Sequence, residues 1–361
     1  IYLCCTLLET DNEMMPRLHE KKYVIFLIIG IFCCFRNGYA RLEDGTLGII
    51  KIPNEGCPIM LAPGQTFKVI AEQKGDIFLI DNEQRIIPLN AQWKKNNPEI
   101  YEGLVTLNDK EIKQGPYAIQ VISEKNEKDI NPRSVWVQNE FKEYYIFAHI
   151  SDIHIRNGDP QDENATTFQK VIEKLNQSDA HFILLTGDLT HNALPEQWQV
   201  FLKILNQAQK PTFVCAGNHD RDEDNYEKMF YTSLYAFRYG KDGFIVYDTR
   251  EYRTADTWGE QDTLLYRYRR ELKSCRWTFG ITHRYEFTMG IRSQMILFVD
   301  DPIDFLLYGH IHRENTKEEA VIPWGKTRVY VVPAEKDGYY RIFDVGEGGL
   351  FPRPIQNIKS K

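Results

Sequence analysis

Hydrophobic positions along this chain change their rhythm near Tyr144. Between Leu42 and Asn139 the apolar stretches are short: Thr66–Ala71, Ile77–Ile80, Leu104–Leu107, Tyr117–Ile122 and Ser134–Val137. Turn formers separate them, among them Pro63-Gly64, Lys74-Gly75-Asp76, Asn96-Asn97-Pro98 and Gly115-Pro116. Short strands bounded by such turns predict a small all-β sandwich over 42–140. It shows no internal repeat and no His, Asp or Glu cluster with ligand spacing.

Beyond Tyr144 strands and helices alternate. Tyr145–Ile150, His181–Leu185, Thr212–Ala216, Phe244–Asp248, Thr278–Thr282 and Phe305–Tyr308 read as strands. Ala165–Asn176, Glu196–Gln207 and Gln261–Leu272 carry helical periodicity. That alternation predicts α/β layering over 144–350, closed by strands at Arg328–Val332 and Tyr339–Phe343.

Five of these strands run into polar clusters: Ser151-Asp152-Ile153-His154, Thr186-Gly187-Asp188-Leu189-Thr190, Gly217-Asn218-His219-Asp220, Thr282-His283 and Gly309-His310-Ile311-His312. Any one of them reads as turn or cap chemistry, the glycines included. Together they place carboxylate and imidazole groups at successive strand ends, where open α/β sheets bind ligands. Those donors suit hard and borderline divalent metals, and two metals close together need a shared carboxylate.

In order, Asp152-x-His154, Gly187-Asp188, Gly217-Asn218-His219-Asp220, His283 and Gly309-His310-x-His312 resemble the calcineurin-like metallophosphoesterases. The resemblance covers roughly 144–345 and implies a four-layer α/β/β/α metallophosphoesterase sandwich. It implies that Asp152, His154 and His312 bind one metal, that Asn218, His283 and His310 bind a second, and that Asp188 bridges them. His219 is then the general acid and Asp220 the carboxylate that orients it. The implied cofactors are two divalent metal ions (Mn, Fe or Zn) activating a bridging hydroxide. Three residues after Asp188, where related purple acid phosphatases carry a tyrosine iron ligand, stands His191, read as lining the cleft and not as a ligand. The sandwich resembles the immunoglobulin-like modules found before some secreted phosphoesterase domains.

Composition adds limits. The chain has 361 residues, a hydrophobic fraction of 42% and a net charge of −7, ordinary for globular domains and unsuited to non-specific nucleic-acid binding. Arg17, Lys21 and Lys22 precede an apolar run, Tyr23–Phe35, with Gly38 and Ala40 after it. This reads as a signal peptide over 14–40, cut after Ala40, with 1–13 upstream of the natural start and the product secreted or periplasmic. No stable membrane span then remains; an uncleaved leader acting as an anchor is the alternative. Cys57, Cys215 and Cys275 would stay without a framework spacing.

Blander readings cover other residues. His149 and His181 read as structural, Arg221 and Arg284 as surface ion-pair partners, and the aromatic stretch Met229–Tyr239 as core in preference to a substrate-facing cap. The resulting expectation is a hydrolase acting on a small phosphoester substrate, a nucleotide or cyclic nucleotide for example. The competing one is a secreted metal-containing binding protein without turnover.

Overall fold

Alternation of buried and exposed residues in the first hundred described positions produces two facing sheets. A computed structural model describes residues 41–359 except 43, 108–111, 223, 250–259, 286–293, 315–319 and 322–325. The predicted leader and the residues before it lie outside the described residues. The first part holds β1 (Ile50–Ile52), β2 (Ile59–Leu61), β3 (Thr66–Ala71), β4 (Gly75–Ile80), β5 (Ile86–Leu89), β6 (Ala91–Lys95), β7 (Tyr101–Thr106), β8 (Gly115–Ser123) and β9 (Lys128–Val137). One sheet runs β1-β3-β7-β6 and the other β2-β9-β8-β4-β5. Every second residue of β3, β4 and β8 (Phe67, Val69; Ile77, Leu79; Tyr117, Ile119, Val121) points into one core between them. The short stretch Ser134–Val137 is the end of the longer β9, whose polar start hid its length. The strand β6, with its largely exposed Ala91–Lys95, carried too little apolar signal to be seen.

The second part is laid down as β10 (Tyr145–Ile150), α1 (Glu163–Asn176), β11 (Phe182–Thr186), α2 (Pro195–Leu205), β12 (Thr212–Cys215), α3 (Asn225–Phe230), β13 (Tyr235–Tyr239), β14 (Asp242–Val246), α4 (Glu260–Glu271), β15 (Thr278–Ile281), β16 (Phe305–Tyr308), β17 (Ala320–Val321), β18 (Arg328–Val331), β19 (Tyr339–Gly346), β20 (Gly349–Pro352) and β21 (Gln356–Asn357). Two six-stranded mixed sheets result, one along β12-β11-β10-β19-β20 with β21 on β19, the other along β13-β14-β15-β16-β18-β17. Strands β10, β11 and β12 are mutually parallel, as are β14, β15, β16 and β18.

Both faces of each sheet are covered, so the central strands are apolar throughout and do not alternate with polar residues. In β10, Tyr145 and Phe147 face an inter-sheet core shared with Phe182, Phe213, Phe244, Phe279, Phe305 and Phe343. Ile146, Ala148 and Ile150 face the other way, onto Phe168, Val171 and Ile172 of α1 and Trp198 and Phe201 of α2. Beyond the second sheet, Leu265 and Leu272 pack with Ile245, Leu306 and a short π-helix at Ile296–Asp300. Helix, sheet, sheet and helix layers follow in that order. The stretch Met229–Tyr239 joins this interior: Tyr235 and Tyr239 are buried, with Phe237 stacked on Phe213 at 3.7 Å.

The chain before β3 also closes the edge of the first of these sheets. Val214 N donates to Gly56 O (2.9 Å), Thr212 Oγ1 to Glu55 O (2.7 Å) and Leu47 N to Lys228 O (3.0 Å). Covering β12 this way leaves no open strand edge beside the loop that follows it. Arg133 reaches across as well, donating to the carbonyls of Leu205 and Lys210 at 2.9 Å each.

Candidate metal centre

Parallel pairing aligns the C-terminal ends of β10, β11 and β12 in one sheet and of β15 and β16 in the other, and the loops leaving those ends meet. Backbone bonds lock them together. Asp152 N donates to Gly187 O (3.0 Å), His154 N to Asp188 O (2.8 Å) and Gly309 N to His283 O (2.9 Å). Asp188 Oδ1 accepts from His219 N and Asp152 Oδ2 from His310 N, both at 2.9 Å.

Three donor groups emerge among the described residues, two of them sharing Asp188 and the third made of His154, His191 and His219. Asp152, His154, Asp188 and His312 present donor atoms within 4.8 Å of one another, and so do Asp188, His283 and His310. Asp188 Oδ2 stands between them, 3.5 Å from His154 Nε2 and 3.2 Å from His283 Nε2. Asn218 Oδ1 is 3.1 Å from His283 Nε2, which puts Asn218 with the second group. The His283 ring is aimed by its other nitrogen, whose proton goes to the carbonyl of Thr186 (2.7 Å).

These atoms are lone pairs facing lone pairs. Asp152 Oδ1 is buried without a well-formed hydrogen bond, 3.1 Å from His312 Nε2. Burial alone would strip His283 of a proton, yet the Asp188 carboxylate outweighs it and raises the imidazole to about 9. Burial also works on Asp188, whose carboxyl is nevertheless held low by His283. His154, where burial wins, is pushed down to about 4. A pocket of two carboxylates that draws a proton onto a buried imidazole calls for positive charge, and its O and N donors fit divalent cations.

The backbone here is unusual in a way the sequence did not announce. Asp152, His154, Asp188, His310 and His312 all have φ between 51° and 66°. Non-glycine residues adopt that region rarely, and its clustering marks functional sites. The neighbouring glycines serve close approach. A Cβ on Gly217 would lie 2.0 Å from Asp188 N, and one on Gly309 would lie 1.7 Å from Ser151 Oγ. Reading these glycines as ordinary turn residues missed this; their shared place beside a ligand in three motifs was the available signal.

His219 is half-buried, and its Nδ1 donates to the carbonyl of His191 (2.7 Å). The expected partner was Asp220, and that expectation is corrected. The buried Asp220 carboxylate accepts from Thr190 N (2.8 Å), Thr190 Oγ1 (3.1 Å) and Gly217 N (2.8 Å), bracing the loops after β11 and β12. Burial first, and the charge of Asp188 second, raise its carboxyl to about 6.

Other residues settle simply. His149 is buried, 2.8 Å from Thr186 Oγ1, and outside these donor groups; His181 caps the start of β10 through Ile146 N. Arg221 pairs with Glu227 (2.9 Å) and Asp248 (2.6 Å), but as a buried side chain and not at the surface as expected. Cys57, Cys215 and Cys275 are all free. The exposed His191 lines the cleft, its Nδ1 3.4 Å from His154 Nδ1.

Comparison with known proteins agrees with this geometry: residues 145–314 match the family described as calcineurin-like phosphoesterase. This segment is similar to the calcineurin-like phosphoesterases. The domain is similar to a probable cyclic nucleotide phosphodiesterase of Ruthia magnifica subsp. Calyptogena magnifica, 33% identical over 94 residues, which cover 26% of this chain and 40% of that protein. It is also similar to the DNA double-strand break repair protein Mre11 of Archaeoglobus fulgidus, 32% identical over 85 residues, 21% of this chain and 19% of that protein. The chain thus spans less than half the length of these curated relatives. A purple acid phosphatase from yellow lupin (Lupinus luteus) seeds superposes with a TM-score of 0.49 at 13% identity, covering 77% of this chain and 67% of that one. The donor set of this segment suits divalent metals.

Proposed function

We propose that this protein is a metal-dependent phosphoester hydrolase with a dinuclear centre, and one observation carries the reading: two donor groups that share Asp188. Asp152, His154 and His312 would hold one divalent ion, and Asn218, His283 and His310 the other. Such ions, Mn, Fe or Zn, supply an acidified water and neutralise phosphoryl oxygens. The chain's own groups do the rest. His219, whose Nδ1–H is engaged by the His191 carbonyl, would in its doubly protonated form present Nε2–H to the leaving oxygen and act as general acid. Asp220 holds the loop that carries it.

The substrate in this reading is a small phosphoester, with a diester such as a cyclic nucleotide favoured. The likeness to a probable cyclic nucleotide phosphodiesterase supports that choice. We further read 14–40 as an export leader, giving a secreted or periplasmic enzyme, and the preceding sandwich as an immunoglobulin-like module that braces the edge of the phosphoesterase domain.

The test is turnover of bis-p-nitrophenyl phosphate against p-nitrophenyl phosphate by the purified, Mn²⁺-loaded protein. His219→Ala should lower kcat about 10²–10⁴-fold with metal content unchanged. Two bound equivalents without hydrolysis of either ester would sink the enzymatic reading in favour of a binding protein.

A further inference from the structure

We propose that His191 is a positioning residue that couples the ring of His154 to the ring of His219. The proposal rests on the metal-centre reading above and concerns a side chain outside the two donor groups that share Asp188, with its own donor atom within 4.8 Å of those of His154 and His219.

Backbone pairing sets up the contact. After β10 and β11 the two chains continue side by side, with an isolated parallel bridge between Ile155 and Thr190. Ile155 N donates to Leu189 O (3.1 Å) and His191 N returns to Ile155 O (3.0 Å). This brings His191 Nδ1 to 3.4 Å from His154 Nδ1, the partner that nitrogen has among the described residues.

Tautomers follow. His154 turns Nε2 toward Asp188 Oδ2 and His312 Nε2, so a lone pair is needed there and the proton sits on Nδ1. His191 Nδ1 accepts that proton, and His191 therefore carries its own hydrogen on Nε2. An imidazole ligand regularly needs such an acceptor behind it, and losing one weakens metal binding about 10–100-fold. The same residue holds the acid. Its carbonyl takes the Nδ1–H of His219, and the two rings stack with centroids 5.1 Å apart at 17°. One residue thus sets the tautomer of a ligand and anchors the Nδ1–H of the general acid.

Substitutions separate its parts. His191→Ala removes ring and acceptor, His191→Phe keeps a stacking ring without an acceptor, and His191→Asn places an amide oxygen near the former Nδ1. The backbone carbonyl that serves His219 survives in all three. The readout is metal affinity of the full chain, stripped and titrated with Zn²⁺ against a chromophoric chelator. It is joined by imidazole ¹⁵N shifts of His154 in the loaded protein. Alanine and phenylalanine should each weaken one of the two sites about 10–100-fold and disturb the His154 Nδ1–H signal, while asparagine restores both. The other site, built on His283, should stay at its wild-type affinity and so reports that each variant is folded.

Wild-type affinity in His191→Phe, or an asparagine variant as weak as alanine, overturns the proposal. So does a third Zn²⁺ equivalent bound by the wild type and lost in all variants, since the donor atoms of His154, His191 and His219 lie within 4.8 Å and His191 would then be a ligand. Absence of ester hydrolysis by a protein that still shows the affinity pattern would refute the phosphoesterase activity and leave this coupling intact.

Discussion

Left-handed backbone is used differently in the two halves of the molecule. In the sandwich, Gln84 and Asn126 have φ of 64° and 61°, each inside a tight turn closed by its own neighbours. Gln84 N donates to Asp81 O at 3.0 Å and Asn126 N to Ser123 O at 2.8 Å. In the phosphoesterase domain the same conformation falls, besides Ala193 and the helix cap Tyr231, on the donor residues Asp152, His154, Asp188, His310 and His312, which bonds from distant loops help to hold. Asp152 is held by Gly187, and His310 by Asp152 itself, 158 positions away. A left-handed residue is cheap where a hairpin needs one. Where long-range contacts impose it on ligands, it is part of how the donor atoms are brought together.

The largest expected effect breaks that long-range packing. In Gly217→Ala the new Cβ would sit 2.0 Å from Asp188 N and 2.2 Å from its Oδ1, so one of the two loops must shift. A shift of the shared carboxylate by ~1 Å should lower kcat/KM at least about 100-fold, with loss of bound metal seen by elemental analysis. The counterpart is Gly64→Ala in the sandwich, at φ 87° with nothing within 4 Å of the new atom. There only the backbone penalty applies, about 1–2 kcal/mol, and activity should not change. Equal activity in the two variants would remove the distinction between close-approach and turn glycines.

Much of this was legible beforehand. Apolar runs such as Tyr145–Ile150 and Phe305–Tyr308 are central strands because sheets covered on both faces need no polar alternation. The polar clusters follow strands, so their convergence could be read from topology. Two things could not. The left-handed φ of the ligands is set by loops meeting across two sheets, which local composition does not encode. The partner of His219 was misread for a similar reason: Asp220 is its neighbour in sequence, yet the carboxylate turns to Thr190 and Gly217 while a carbonyl from another loop takes its place. Polar edge strands such as β6 escaped because burial, and with it hydrophobicity, is slight there.

A middle-sized effect concerns acid stability and sets the two interiors apart. The sandwich buries Asp129, whose carboxyl burial pushes up, whereas the interior of the phosphoesterase domain contains His149, which burial pushes down to about 3. The unfolded chain takes a proton there near pH 6.5 and the folded one does not, so the contribution is complete above pH 6.5 and is lost as pH falls. Between pH 6.5 and about 3 the loss approaches 1.4 kcal/mol per pH unit. Urea unfolding of wild type and His149→Gln at pH 7, 6, 5 and 4 measures it. The variant should lose less stability per unit of acidification, and parallel curves would show that His149 is not the group responsible.

The smallest effect tests the opening contrast from the other side, by relieving strain in place of adding it. Gln84→Gly should stabilise the protein by no more than about 1 kcal/mol, since glycine accepts φ of 64° freely but adds entropy to the unfolded chain. His312→Gly should do the same to the metal-free protein, because φ is 54° and the side chain is 37% exposed, so little packing is lost. Thermal melts of the stripped proteins would then rise together. Added Mn²⁺ should separate them, raising the melting temperature of Gln84→Gly more than that of His312→Gly, which has lost a donor. If His312→Gly melts lower than wild type without metal, its left-handed backbone is not strained, and the difference between hairpin and site reduces to the donor atoms alone.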